Sequence, residues 1–176
     1  WKASPLVQKL KADKHLANEE NVQHYFMQQM ENYLATKGKR CIGWGEIVKG
    51  GLSKNTVVMS WRGKQAGIKA AKEGNSVIMA PRFYCYFDYP QSKKEKKAAW
   101  WMMYLPVKKV YSFKPDVNSA KVNSKIMGGE ATLWTEYVTD ETRLWHQLKP
   151  RIAAIGEALW GTNKNFKDFE QRAKLK

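Results

Sequence analysis

The 176-residue chain lacks several features that would assign it to a common class of protein. It has no run of about 18 apolar residues, so we expect no membrane span. It has no GxGxxG or GxxxxGK[ST] loop for nucleotide phosphates. Its two cysteines, Cys41 and Cys85, lie in strand-like runs without CxxC spacing, and we interpret both as small buried hydrophobic residues.

Histidines are also few, and none suggests a metal site. His15, His24 and His146 fall on predicted helices and have no metal-ligand spacing, so we expect surface or helix-packing roles for them. The sequence therefore predicts neither a cofactor nor a metal.

Acidic residues are scarce: 16 Asp and Glu stand against 31 Lys and Arg, which gives a net charge of +15. Such a charge raises nucleic acid as a partner, whose binding would weaken steeply with salt. Most of the charge is lysine spread along the chain, with one denser run, KKEKK at 93–97. Because no zinc-finger, helix-turn-helix or RNA-binding motif accompanies it, we favour a solvated lysine-rich surface and expect no nucleic acid partner.

The sequence is rich in apolar and aromatic residues, with 43% hydrophobic residues and eight Trp, enough for one domain or part of a larger one. The chain starts with Trp1 rather than Met, which suggests an upstream segment. Strand-like runs alternate with helical ones, so we expect an α/β protein with a parallel sheet. The predicted strands are at about 40–45, 56–61, 76–81 and 126–137. The predicted helices run from Asn18 or Asn21 to Gly38, over 64–74, from about 139 to 160, and, as a short C-terminal helix, over about 165–176.

Aromatic or carboxylate residues follow each predicted strand. In the fourth, ATLWTEYV, Trp134 and Glu136 are two residues apart and should share one face of the strand. An indole can stack on a sugar ring while a carboxylate accepts its hydroxyls. Parallel strands end on one side of the sheet, so a shared ligand site is expected there, although a single strand Trp is more often core. The residues concerned are Trp44, Trp61, Tyr86, Asp88, Trp134 and Glu136.

Several motifs, in order, resemble the second half of the catalytic domain of glycoside hydrolase family 20, the β-N-acetylhexosaminidases. They are GWGEIVKGGL, VVMSWRGKQAGIKAAKEGNSVIMAP, YCYFDYPQ, LPVKKVYSFKP, GGEATLWTEYV and LKPRIAAIGEALW. The resemblance implies that the chain, over 1–176, is a partial family domain: the C-terminal half, strands 5–8, of a (β/α)8 TIM barrel.

The resemblance also implies a substrate-assisted retaining hydrolysis, in which the 2-acetamido oxygen of the sugar attacks the anomeric carbon. The family's Asp-Glu pair orients the acetamido group and supplies the acid and base, within a His-x-Gly-Gly-Asp-Glu motif that this sequence does not contain. We expect that pair upstream of Trp1. GGE at 128–130 is no substitute, because we place it at the beginning of the fourth strand.

Residue roles follow from the same resemblance. Tyr86 matches a tyrosine that hydrogen-bonds the acetamido oxygen, and Asp88 and Glu136 match acceptors for the C4 and C6 hydroxyls. The indoles that box the N-acetyl group match Trp44, Trp61 and Trp134.

Two neighbouring segments have other expected roles. In the lysine-rich loop, Trp100 or Trp101 could stack an aglycone sugar or belong to the core. In the last barrel helix, we interpret Arg151 and Glu157 as a structural ion pair or as solvated charges.

Two functions remain open on this evidence. The chain is part of an exo-acting enzyme, completed by an N-terminal half-barrel, that acts on N-acetylhexosamine-terminated glycans or chitooligosaccharides. Alternatively, it is a noncatalytic half-barrel that binds sugar or self-associates, since an open half-barrel exposes strand edges and apolar surface. By resemblance the compartment is periplasmic, extracellular or lysosomal, and the sequence does not select among them.

Overall fold

The computed structural model describes residues 1–162 and 165–174. Four strands form one sheet in the order β1-β2-β3-β4: β1 Ile42–Trp44, β2 Val57–Ser60, β3 Val77–Met79 and β4 Ile126–Gly129. The α-helices are α1 Pro5–Asp13, α2 Glu19–Thr36, α3 Gln65–Lys72, α4 Arg82–Cys85, α5 Val107–Tyr111, α6 Ala120–Asn123, α7 Glu141–Leu148, α8 Arg151–Trp160 and α9 Phe166–Lys174. Within the described ranges no helix combines the length and apolarity needed to cross a membrane.

The chain divides into two compact units, and the first comprises residues 1–60, 64–78 and 119–127. In this unit β1 and β2 pair in parallel, with Trp44 opposite Met59. All four residues of β2 are buried, as expected for a parallel strand that is covered on both faces. The side chain of Asn75 donates to the carbonyls of Ser53 (2.7 Å) and Thr56 (3.0 Å), which fixes the entry into β2.

Two predicted helices of the first unit are confirmed. Asn18 caps α2 by accepting a hydrogen bond from the backbone N–H of Asn21 (2.9 Å), and Gly38, with a φ of +65°, follows its end. Helix α3 is followed by Gly74 with a φ of +98°. Helix α1, begun by Ser4 and Pro5, was not predicted.

The second unit comprises residues 61–63, 79–118 and 128–176. Helices α5 and α8 pack on each other here. The ring of Tyr111 contacts those of Phe166 (5.4 Å between centroids) and Phe169 (5.0 Å), which attaches α9. Cys85 is buried as predicted, but it ends helix α4 rather than lying in a strand, and Cys41 is half-buried just before β1.

Three predicted boundaries are wrong. The fourth strand ends at Gly129, not at 137: its backbone is already irregular at Gly128, where φ is +144°, and beyond it the pairing is limited to an isolated bridge at Thr132. GGE therefore lies at the end of β4 rather than at its beginning. The helix predicted over 139–160 is two helices, α7 and α8, because Pro150 has no N–H for a continuous helix. The predicted C-terminal helix is present as Phe166–Lys174, while Leu175 and Lys176 lie outside the described residues.

We predict that Gly129→Ala destabilises the chain by about 1 to 3 kcal/mol, because the new Cβ overpacks the core. It would lie 2.6 Å from the ring of Phe113, 2.9 Å from Leu159 and 3.2 Å from the carbonyl oxygen of Met79. The measurement is the free energy of unfolding in urea. The control is Gly156→Ala in α8, whose Cβ would meet nothing within 4 Å and should leave stability unchanged or raise it by up to about 1 kcal/mol. Equal effects at both positions would contradict the packing of β4.

Candidate active site

Tyr86 and Thr132 bring two irregular segments of the second unit together. They form an isolated parallel bridge, with hydrogen bonds from Phe87 N to Thr132 O (2.7 Å) and from Thr132 N to Cys85 O (2.8 Å). This bridge places the segment that carries Tyr86 and Asp88 next to the one that continues to Trp134. The candidate site therefore depends on loop pairing beyond the regular strands.

Aromatic rings line up around Tyr86. Trp61 follows β2 directly and stacks on Tyr86, with ring centroids 6.0 Å apart and planes inclined by 21°. The carbonyl of Trp61 accepts a hydrogen bond from Arg82 N (2.7 Å), which ties it to the start of α4. Tyr86 also contacts Tyr89, and Tyr89 contacts Trp101, both at 6.0 Å between centroids. A continuous aromatic row thus extends from Trp61 to Trp101.

Asp88 is a buried carboxylate with unused hydrogen-bonding capacity. It is 3% exposed, and neither side-chain oxygen has a hydrogen-bond partner among the described residues. Burial raises the pKa of Asp88 to about 6, although its own backbone N–H opposes the rise; the Glu136 carboxylate adds to it and the Arg151 guanidinium opposes it. A buried carboxylate without donors is costly, so its oxygens are suited to a ligand that donates hydrogen bonds.

Trp134 and Glu136 do not lie on a strand, so the expectation that they share a strand face is wrong. They follow the bridge at Thr132 in irregular chain, and both are exposed, Trp134 by 42%. The β-branched and aromatic composition of this segment indicated a strand, but after Gly129 the pairing is limited to the one bridge. The proximity of Glu136 to Asp88 survives this correction, since its charge acts on the pKa of Asp88.

Trp44 belongs to the first unit, and its position is described within that unit. It is the last residue of β1, as predicted, and is half-buried. A 3-10 helix, Gly45–Val48, begins directly after it. Its role against a sugar remains a prediction from the resemblance.

Arg151 and Gln147 are the residues that the sequence interpretation missed. Arg151 is fully buried and donates to backbone carbonyls; Glu157 is not its partner. Glu157 instead pairs with Arg172 (2.8 Å) and accepts a hydrogen bond from the hydroxyl of Tyr111 (2.8 Å). The interpretation as an Arg151–Glu157 ion pair is therefore wrong, and the alternative of solvated charges is wrong for the buried Arg151.

A signal for this burial is present in the sequence. Arg151, Ala154, Ile155 and Ala158 are spaced i, i+3, i+4 and i+7, and all four are buried on one face of α8. An arginine at the start of an otherwise apolar stripe points to a buried cation that requires acceptors.

The lysine-rich loop is tied to helix α7 through Glu95. Its carboxylate accepts hydrogen bonds from the backbone N–H groups of Gln91 (2.9 Å) and Ser92 (3.1 Å), lies 2.9 Å from His146 and 3.6 Å from Arg143. Burial favours a higher pKa for Glu95, but these donors outweigh it and lower the pKa. The single acid of the KKEKK run is thus turned inward, where it orders the loop.

The loop tryptophans differ in exposure. Trp100 is 91% exposed and Trp101 is 45% exposed, and Trp101 contacts Tyr89. Trp101 therefore has packing on one side and accessible surface on the other, and stacking of an aglycone by either residue remains a prediction.

The remaining histidines and acids give no sign of a metal site. Over residues 1–162 and 165–174 no group of three His, Cys, Asp or Glu side chains could hold a metal ion. His24 lies in α2, whereas His15 lies in the turn after α1, with a φ of 52°, and not on a helix as predicted. The one Asp-Glu dipeptide of the sequence, Asp140-Glu141, begins α7, where Asp140 caps the helix by accepting from Arg143 N (2.8 Å).

Stacked aromatic rings beside a buried carboxylate in an α/β protein are typical of a carbohydrate-binding site. The family model of the glycosyl hydrolase family 20 catalytic domain matches residues 1–163. The chain therefore belongs to glycosyl hydrolase family 20, whose catalytic domain is a TIM barrel.

Known proteins of this family align over almost the whole chain. The β-hexosaminidase of Porphyromonas gingivalis is 38% identical over 177 residues, which are 98% of this chain and 23% of that protein. The exo-β-N-acetylglucosaminidase of Vibrio harveyi, solved in complex with N-acetylglucosamine, is 28% identical with a TM-score of 0.88 over 99% of this chain and 28% of that one. The chitobiase of Flavobacterium johnsoniae is 31% identical with a TM-score of 0.81, over 99% of this chain and 26% of that one. This chain thus spans about a quarter of the length of these relatives.

We predict that Asp88 makes the stability of the chain fall as pH rises from about 4 to about 6. The folded state keeps the Asp88 proton up to about pH 6, whereas the unfolded chain releases it near the ordinary value of 3.8. Because the folded state then binds more protons, the free energy of unfolding, measured relative to Asp88→Asn, should drop by about 1 to 3 kcal/mol over this interval.

Asp140→Asn is the matched control, measured by urea unfolding at each pH. Hydrogen bonds from the backbone of Arg143 and from Thr139 lower the pKa of Asp140, so its contribution appears as pH rises and the relative free energy changes with the opposite sign. A pH-independent difference between wild type and Asp88→Asn would contradict the buried, unpartnered state of Asp88.

Proposed function

We propose that the chain forms the C-terminal half, strands 5–8, of the catalytic barrel of a β-N-acetylhexosaminidase. The enzyme would remove terminal N-acetylglucosamine or N-acetylgalactosamine from glycans or chitooligosaccharides. The observation that carries this proposal is the buried Asp88 carboxylate, whose two unpartnered oxygens lie in the same short segment as Tyr86, the ring that stacks on Trp61.

The site residues have complementary roles in this proposal. The indole of Trp61, which stacks on Tyr86, would form part of an apolar wall for the sugar, and the hydroxyl of Tyr86 would donate to the acetamido oxygen. Asp88 and Glu136 accept hydrogen bonds from sugar hydroxyls at C4 and C6. The sugar hydroxyls would supply Asp88 with the hydrogen-bond donors that the described residues do not give it. An epimer whose hydroxyl points elsewhere would bind less well by about 1 to 3 kcal/mol.

Two further indoles belong to the proposed sugar site. The resemblance assigns both Trp134, which is 42% exposed, and Trp44 to the N-acetyl box. An apolar box would hold the acetamido oxygen near the anomeric carbon and keep water from the intermediate.

Hydrolysis would follow the substrate-assisted retaining course of the family. The acetamido oxygen of the substrate displaces the leaving group to form an oxazolinium ion, which water then opens. Tyr86 would stabilise the charge that develops on the acetamido group as the oxazolinium ring closes. The Asp-Glu pair that protonates the leaving oxygen and activates water would lie outside these 176 residues, since the sequence lacks its motif and Asp140-Glu141 begins a helix.

We predict that this chain alone does not hydrolyse aryl N-acetyl-β-glucosaminides, because general acid catalysis and acetamido orientation both require the missing pair. Release of the aryl alcohol is the measurement. The control is a longer polypeptide that adds the family's preceding segment with its Asp-Glu pair, for which we expect turnover.

Four outcomes have distinct meanings. Turnover that copurifies with the 176-residue chain would contradict the position of the pair. Absence of turnover from the longer polypeptide would contradict the enzyme itself. Binding of N-acetylglucosamine by the longer polypeptide without turnover would favour the noncatalytic sugar-binding alternative. A concentration-dependent dimer of the 176-residue chain would favour self-association.

We predict that Tyr86→Phe in the complete enzyme lowers kcat by about ten- to a thousandfold with little change in KM, because the hydroxyl acts mainly in the transition state. The measurement is steady-state kinetics on an N-acetylglucosaminide. Tyr84→Phe is the matched control, since the Tyr84 hydroxyl accepts from Lys109 (3.2 Å) and has no proposed contact with substrate. A wild-type kcat for Tyr86→Phe would assign the residue to packing.

A further inference from the structure

The guanidinium of Arg151 is 0% exposed, and all of its N–H donors form hydrogen bonds within the protein. Its Nη2 donates to the carbonyl of Phe87 (2.6 Å), and its Nη1 donates to the carbonyls of Tyr89 (2.8 Å) and Leu105 (3.3 Å). Nε and Nη2 also donate to the carbonyl of Gln147 (3.1 and 2.6 Å). The planar fork of arginine suits this task, because five N–H groups point in fixed directions.

Gln147 completes the same network from helix α7. Its Oε1 accepts from Nη2 of Arg151 (2.9 Å), and its Nε2 donates to the carbonyl of Asp88 (3.1 Å). Three successive carbonyls, those of Phe87, Asp88 and Tyr89, are therefore held by two buried side chains. The segment they belong to is a turn that lies outside the helices and strands.

The side chain of Asp88 makes no hydrogen bond within the described residues that could fix its direction. Its direction is set by its backbone, which Arg151 and Gln147 hold on both sides. Arg151 also lies with its guanidinium 4.9 Å from the ring centroid of Phe87, which adds a stacking contact to the same segment. Apolar packing in place of Arg151 would leave the carbonyls of Phe87 and Tyr89 without these donors, so the position of the segment depends on this side chain.

We propose that Arg151 and Gln147 are positioning residues, a clamp on the backbone of residues 87–89 that aims Asp88 and Tyr86 at the bound sugar. Neither touches the substrate. This inference rests on the proposed function, because it concerns the same sugar site, and it adds a specificity device that lies behind that site.

Arg151→Lys tests the clamp while retaining the charge. Lysine carries three donors on one nitrogen and cannot reach the carbonyls on both sides of Asp88. In the full-length protein we expect kcat/KM on an N-acetylglucosaminide to fall by about ten- to a hundredfold, as for a displacement of binding groups by about 1 Å. Arg172→Lys is the matched control: Arg172 pairs with Glu157 and Asp168 in the same unit, and the change should leave kcat/KM within about twofold.

A double-mutant cycle with Asp88→Asn separates positioning from general loss of stability. If Arg151 acts through Asp88, the loss in Arg151→Lys/Asp88→Asn is smaller than the product of the two single losses. A purely structural role would give losses that multiply. Multiplying losses would overturn the proposal.

Gln147→Met keeps the test decisive if Arg151→Lys does not fold. This variant retains side-chain length and removes the side-chain amide, which is the donor to Asp88 and one acceptor for Arg151. The backbone acceptors of Arg151 remain, so we expect a smaller loss of kcat/KM, about three- to tenfold, and the same non-additivity with Asp88→Asn. An unchanged kcat/KM in folded Gln147→Met would count against the clamp.

Amide hydrogen exchange of residues 86–89 provides a readout that does not depend on activity. Exchange should accelerate in Arg151→Lys and in Gln147→Met, and remain as in wild type in Arg172→Lys. Unchanged exchange in both clamp variants would overturn the clamp. Absence of turnover and of N-acetylglucosamine binding in the wild-type protein would instead overturn the proposed function, so the two failures are distinguishable.

Discussion

The buried guanidinium of Arg151 is the constraint on which the second unit depends. A cation that is 0% exposed must have acceptors for all five N–H groups, and here they are carbonyls from chain positions as far apart as Phe87, Leu105 and Gln147. Burial lowers the pKa of Arg151 to about 10, which still leaves it protonated at neutral pH. Segments without regular secondary structure thereby acquire defined positions from a single side chain.

Asp88 shows the opposite state in the same unit. The cation has every donor engaged, whereas the anion has two acceptor oxygens without a donor among the described residues. Proteins retain unsatisfied buried charge mainly where function requires it, because each such group lowers stability. The backbone around Asp88 is thus held by satisfied donors, while its carboxylate oxygens keep the capacity to accept further hydrogen bonds, an arrangement that suits the proposed binding site.

Sequence patterns predicted the parts of this structure that depend on local signals. Helix α2 follows from Asn18 and Gly38, and the end of β1 at Trp44 follows from its apolar run. The extent of the fourth strand was not predictable in this way, because the composition around Thr132 suits a strand although only an isolated bridge forms there. The clamp was missed since its acceptors are backbone carbonyls, which every residue has and no side-chain pattern marks.

In the lysine-rich run KKEKK, the one acidic residue, Glu95, has a structural role that the net charge of the run does not indicate. Four lysines in KKEKK suggest a surface for polyanions, but the pattern contains Glu95, and the structure gives that residue the donors of Gln91, Ser92 and His146. Glu95 thus anchors the loop to α7. From the same helix, Gln147 donates a hydrogen bond to the carbonyl of Asp88. The loop and the segment of Asp88 therefore share one support, helix α7, which contacts the first through His146 and the second through Gln147.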